Sequence, residues 1–238
     1  MTEKQTVRIT FPEGFTVFQT ANLLEEKGIC SAEDFMEAAN SLPKNFELTS
    51  NLKNAKNRIF KLEGYLFPDT YDFYKGEGAQ NALWRFLKNT QIKLSKKDMA
   101  RAKELGYSMD EVITLASVIQ AEAGTPDEMK KVSSVFHNRL NSSYGRLESD
   151  ATVLYIKEKL AAVIPEKDRG AHYEHYSTYG ENGLPVGAIC NPGRSAIDAA
   201  LYPDHTNYMF FVTGKEDGKY YYANTFEQHK KNVKLAGW

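Results

Sequence analysis

From Val112 to Ala121 apolar side chains dominate, with Val112, Ile113, Leu115, Ala116, Val118, Ile119 and Ala121 broken only by Thr114, Ser117 and Gln120. A helix this apolar is largely buried. Ser108 is placed to cap its first turn, while Glu111, three residues on, reaches back to the cap's own N–H. Gly124 supplies the expected stop. At 3.6 residues per turn, Leu115, Val118 and Ile119 share a side with Glu122, whereas Gln120 points away.

Shorter patterns surround this stretch. Val7 to Phe11 alternates like a half-buried strand and is turned by Pro12-Glu13-Gly14. Thr16 with Gln19, and Ser31 with Asp34, open two short helices carrying Val17, Ala21, Leu24 and then Phe35, Met36, Ala39. Residues 42–61 are polar and aperiodic, so they are expected to connect. Helical spacing returns at Leu83, Phe86 and Leu87, and Ser95 with Asp98 opens a further helix ending near Gly106. Thr125-Pro126-Asp127-Glu128 starts a helix with Met129, Val132, Phe136 and Leu140 on one face. Ser149-Asp150 caps another, through Val153, Leu154 and Leu160, and Ser195 is expected to cap one ending at Pro203. Tyr208 to Thr213 and Lys219 to Asn224 read as paired strands, and Thr225 with Gln228 opens the last helix. The pattern predicts an α+β protein: a small strand-helix-helix unit with its connector over residues 1–60, and a larger mixed domain over 61–238.

The position of Glu122 changes what its chemistry can be. Loss of water and the partial negative charge of a helix C-terminus both disfavour its charged form and raise its pKa. A carboxylic acid still protonated near neutral pH can give a proton to a poor leaving group such as a sugar oxygen. The plain alternative is a glutamate that reaches solvent or pairs with a lysine. Elsewhere, His172 and His175 sit three apart, without the spacing of a zinc helix or a third ligand, so neither metal nor cofactor is expected. Cys30 and Cys190 are far apart and read as small packed residues. A net charge of -1 gives no basic footprint for nucleic acid. No apolar run is long enough to span a bilayer.

Two segments are dense in aromatic, glycine and proline residues: Glu63-Gly64-Tyr65-Leu66-Phe67-Pro68-Asp69-Thr70-Tyr71, and Tyr176-Ser177-Thr178-Tyr179 through Gly183-Leu184-Pro185 to Asn191-Pro192-Gly193. Flat rings bearing hydroxyls suit a sugar ring, and they suit a core equally well. Together with Ala116 to Ala123, Val135-Phe136-His137-Asn138-Arg139-Leu140 and Leu147 to Thr152, they resemble in order and spacing the YceG-like family of endolytic murein transglycosylases, the MltG group. Ala151 departs from that family's usual proline, and Glu148 from its usual glutamine.

That resemblance implies Glu122 as the catalytic acid. It implies a sugar site drawing on Glu63, Tyr65, Tyr71, Ser149, Asp150, Tyr179 and Asn191, with His229 near the same cleft; the short link between the helices that hold Glu122 and Arg139 is expected to carry Asn138 to that site and Arg139 towards it. It implies a LysM-like, glycan-binding role for the first unit, beside a bland reading as a packing subdomain. The expected partners are peptidoglycan glycan strands and proteins of cell-wall synthesis and division, with membrane contact only through an anchor absent from this chain. The expected location is the outer face of the cytoplasmic membrane. The implied reaction is non-hydrolytic cleavage of the β-1,4 bond between N-acetylmuramic acid and N-acetylglucosamine, closing a 1,6-anhydro ring with Glu122 as the single acid and base. Two alternatives stay open: a glycoside hydrolase with Glu63, Glu148 or Asp150 as second carboxyl, and a murein-binding scaffold without turnover.

Overall fold

The structure, a computed structural model, describes residues 5–49 and 52–238. Residues 1–4, 50 and 51 of the expected first unit lie outside the described residues. The first strand, β1 (Thr6–Thr10), leads into α1 (Val17–Glu26) and α2 (Ala32–Ala39). Thr16 and Gln19 make the reciprocal capping box at α1, and Ser31 accepts from Asp34 N–H at α2. β1 pairs antiparallel with β2 (Thr70–Tyr74), so the unit is strand-helix-helix-strand and its second strand lies past residue 60. Phe11, Phe35, Tyr71, Phe73 and Phe86 meet edge-on and tilted beneath it. Such aromatic contacts add to the apolar area they bury.

The remainder is mostly helical. α3 (Ala79–Lys93) and α4 (Lys96–Glu104) lead to α5 (Met109–Glu122), whose residues from Val112 to Ile119 are all buried. α5 packs mainly against α9 (Arg194–Leu201) and also against α6 (Pro126–Leu140). The capping box of Ser108 and Glu111 is present. The helix stops because Ala123 turns extended, at φ −134° and ψ 133°; Gly124 is not left-handed, so the expected glycine cap is not what ends it.

α7 (Asp150–Leu154) is shorter than expected. The chain then widens into a π turn over Tyr155–Lys159, which slips the helical phase. Tyr155 and Ile156 become the buried pair while Leu154 is left exposed. α8 (Arg169–Tyr176) follows, and then the glycine- and proline-rich loop. α9 begins at Gly193 as cap, two residues before the expected Ser195. β3 (Phe210–Thr213) and β4 (Tyr220–Ala223) form a second antiparallel pair, and α10 (Phe226–Leu235) packs on both. One contiguous cluster of buried apolar side chains runs from Ile9 to Leu201, across residue 60. Among the described residues no helix is long and apolar enough to cross a membrane, and both cysteines are free.

Candidate active site

The end of α5 opens into a groove of about 530 Å³. One wall carries Glu122, Arg139, Tyr144, Glu148, Asp150 and Tyr179; the other is largely apolar, from β3 (Phe210, Phe211, Val212) and α10 (Phe226, Val233) with Trp238 beyond it. The Glu122 side chain is half-buried at the junction. Ser149 Oγ donates to its Oε1 at 2.5 Å, and Ala151 N–H is a second donor to the carboxylate. From β4, Tyr220 Oη donates to the Glu122 backbone carbonyl at 2.8 Å, pinning the end of α5 to the hairpin.

Burial is the largest influence on the Glu122 carboxyl and holds its pKa above the ordinary 4.5. Ser149 and the Ala151 N–H pull it down, the Asp150 charge pushes it up, and Arg139 pulls it down. Ser149 was expected on the sugar and as a helix cap. Its hydroxyl makes no capping bond and orients Glu122 instead. Ser149→Ala should therefore raise the Glu122 pKa further, on the order of one unit for a lost charge-assisted donor, which a carboxyl ¹³C titration by NMR will read.

The other acids in the groove are engaged by tyrosines. Tyr179 Oη donates to Asp150 Oδ1 at 2.8 Å, and Tyr144 Oη donates to Glu148. Glu148 adopts φ +49°, a left-handed backbone uncommon for a side chain of this size. Burial and Asp150 together push the Tyr179 hydroxyl well above its usual range, so it donates at every relevant pH.

Five residues expected at the sugar lie elsewhere. Glu63 is 1 % exposed: its Oε1 accepts from Val17 N–H at 2.9 Å and Asn191 Nδ2 at 3.1 Å, and its Oε2 accepts from Tyr155 Oη at 2.9 Å. It caps α1 from a distance, and burial pushes its pKa up to about 8. Asn191 is equally sealed, its Oδ1 accepting from Gly64 N–H and Leu66 N–H, both at 2.9 Å. Tyr65 is fully buried with its hydroxyl on Asp110 at 2.7 Å. Tyr71 is buried with its hydroxyl on the Phe67 carbonyl. Asn138 Nδ2 holds the Thr206 and Tyr208 carbonyls, both at 2.9 Å. These side chains fold the chain around the groove rather than line it, because each polar atom is already matched by a backbone or buried partner.

Gly64 shows how tightly that network is built. It holds φ +91°, and a Cβ there would lie 2.6 Å from Ile113 Cγ2 and 2.7 Å from Ala188 Cβ. Gly64→Ala should cost about 2–4 kcal/mol, combining left-handed strain with overpacking, seen as a lowered denaturation midpoint.

Several groove residues escaped the motif reading: Tyr144, Phe210, Phe211, Phe226 and Trp238. Phe210 and Phe226 are scattered apolar positions in a strand and a helix, and only the hairpin brings them opposite Glu122. His229 does reach the groove, stacked on Phe210 at 5.2 Å between ring centres. Among the described residues no cluster of three or more ligating side chains is poised for a metal ion.

A carboxyl whose pKa burial raises, oriented by a fixed hydroxyl and sharing its groove with aromatic side chains, defines a candidate acid-base site. The chain belongs to the YceG-like family, whose model matches residues 1–235. It is similar to the endolytic murein transglycosylase of Bacillus subtilis, 33% identical over 94% of this chain and 63% of the relative, and to that of Streptococcus pneumoniae strain D39, 28% identical over 94% of this chain and 44% of the relative. It thus spans under two thirds of the length of these relatives. A crystal structure of a YceG-like protein from Listeria monocytogenes superposes with a TM-score of 0.76 at 30% identity, covering 94% of this chain and 75% of that one.

Proposed function

We propose that the protein is a lytic murein transglycosylase acting within peptidoglycan strands, with Glu122 as its single general acid and base. The observation that carries this reading is a carboxyl of raised pKa at the junction of a polar and an aromatic wall, held by Ser149. Glu122 protonates the glycosidic oxygen between N-acetylmuramic acid and N-acetylglucosamine as the C1–O bond breaks. The sugar's own 6-hydroxyl then closes on C1 and returns its proton to Glu122. Water is not consumed, and the new end is a 1,6-anhydro ring.

The relatives' names support murein as the substrate, and the aromatic wall suits pyranose faces. The strand-helix-helix-strand unit fits a LysM-like role in holding the same strand. As the catalytic part of a longer, anchored protein, the chain would work at the outer face of the cytoplasmic membrane beside wall-synthesis and division proteins.

A two-carboxylate hydrolase is the second reading, because Glu148 and Asp150 share the groove with Glu122. Both already accept from tyrosine hydroxyls, and Glu63 is sealed in the core, which favours the single-acid route. Mass analysis of products from purified glycan strands decides between them: the anhydro product is lighter by one water than the hydrolytic one, and the lighter product is expected.

A further inference from the structure

Arg139 is only 6 % exposed, yet no carboxylate lies within ion-pairing distance of it among the described residues. Its Nε donates to the Met209 carbonyl at 2.6 Å and its Nη1 to the Leu147 carbonyl. The guanidinium sits over the Tyr144 and Phe210 rings, at 4.9 and 5.2 Å from their centres. The third nitrogen, Nη2, has no protein partner among the described residues and is not among the sealed orphan atoms, so it opens on the groove that Arg139 lines. Burying a cation this thoroughly without a counter-charge is costly, and such charges are retained where they act on a neighbour. Two backbone carbonyls and two rings fix its position, so the charge cannot swing away.

We infer that Arg139 is a positioning residue whose fixed charge stabilises Glu122 as a carboxylate once its proton has left for the sugar oxygen. The inference rests on the proposed role of Glu122 and adds what that role requires. An acid raised only by burial gives up its proton reluctantly; a nearby fixed cation lowers the energy of the resulting anion at the moment it forms. The same anion then takes the proton of the 6-hydroxyl. Glu122 shares the groove with Asp150 from α7, Tyr144, Glu148 and Tyr179 from the loops, His229 from α10 and Arg139 from α6, with Tyr220 from β4 on its backbone carbonyl; Arg139 is the arginine among these groove residues. Glu148 and Asp150 would repel an anionic group of the substrate, which argues against Arg139 reading such a group.

The test uses the full chain, murein glycan strands and two variants. Arg139→Gln removes the charge while its amide can still donate to a backbone carbonyl; Arg139→Lys keeps the charge. In Arg139→Gln the ¹³C titration of Glu122 should move up by about one unit, and the alkaline limb of kcat/KM should move with it. kcat should fall on the order of tenfold or more with KM within about twofold, since the interaction strengthens only as the anion forms. Arg139→Lys should retain the wild-type Glu122 titration and most of kcat. A tenfold rise in KM with Glu122 titrating as before would overturn the inference in favour of substrate reading. So would a folded Arg139→Lys that loses kcat as the glutamine variant does. Should Arg139→Gln fail to fold, Arg139→Lys alone decides on those criteria. The NMR titration needs no turnover, so a shifted Glu122 in a protein that leaves murein uncut would uphold the coupling while removing the proposed function.

Discussion

Glu122→Gln is expected to reduce murein cleavage on the order of a thousandfold, within the range general acid-base groups contribute, while leaving the fold intact. The amide keeps an oxygen where Ser149 Oγ donates, so the local geometry survives. On the proposed mechanism, what disappears is the proton that passes to the sugar oxygen and the base that recovers one. Stability should change by about 1–2 kcal/mol at most, because the Ser149 bond survives and at most the Ala151 N–H loses its acceptor. In the wild type the alkaline limb of kcat/KM should lie above the ordinary 4.5 of a glutamate, since burial holds the free-enzyme pKa up. Anhydro-ended products counted by mass spectrometry for the two proteins provide the measurement. Undiminished cleavage by a folded glutamine variant would remove Glu122 from the reaction.

The second large effect concerns stability rather than turnover. Glu63→Ala should destabilise by about 3–5 kcal/mol, because it leaves Val17 N–H, Asn191 Nδ2 and Tyr155 Oη as buried donors without an acceptor. Glu63→Gln should cost less, about 1–2 kcal/mol: its oxygen can serve Val17 and Asn191, while its amide nitrogen can donate to the Tyr155 oxygen but leaves that hydroxyl's proton without its acceptor. The pH dependence has a definite sign. The folded pKa is pushed from 4.5 up to about 8, so the unfolded chain releases this proton first as pH rises. The contribution of Glu63 is fully present below about pH 4.5 and declines toward pH 8, by up to about 1.4 kcal/mol per pH unit. Denaturant titrations at several pH values should show that decline in the wild type and a flatter profile in Glu63→Gln.

These two glutamates also show what can be read from a sequence and what cannot. The helix starts at Thr16, Ser31, Ser95, Ser108, Thr125 and Thr225 were legible because a cap satisfies N–H groups two or three residues away. Glu122 was legible because helical periodicity places it beside apolar neighbours. Glu63, Tyr65, Tyr71, Asn138 and Asn191 do not line the groove, and the sequence could not show it: a polar group bonded to the core and one offered to a sugar have the same spelling. Their partners lie up to 176 residues away, as between Asn191 and Phe15, and no local pattern carries that information. The π turn after Leu154 escaped for a related reason, since its phase is set by burying Tyr155 against Glu63 and Tyr176 rather than by its own spacing.

The two walls of the groove come from different parts of the chain. The acidic side hangs from α5, α6 and the turns before α7, fastened into the shared core, whereas the greasy side is a late hairpin with α10, in the sequence after residue 206, tied back to α5 and α6 through Tyr220, Tyr222 and Met209. Because Tyr220 holds the Glu122 carbonyl and Arg139 rests on the Met209 carbonyl and the Phe210 ring, changes at those hairpin positions should also disturb the acidic side, whereas Phe226 and Val233 on α10 can vary with the end of α5 left in place.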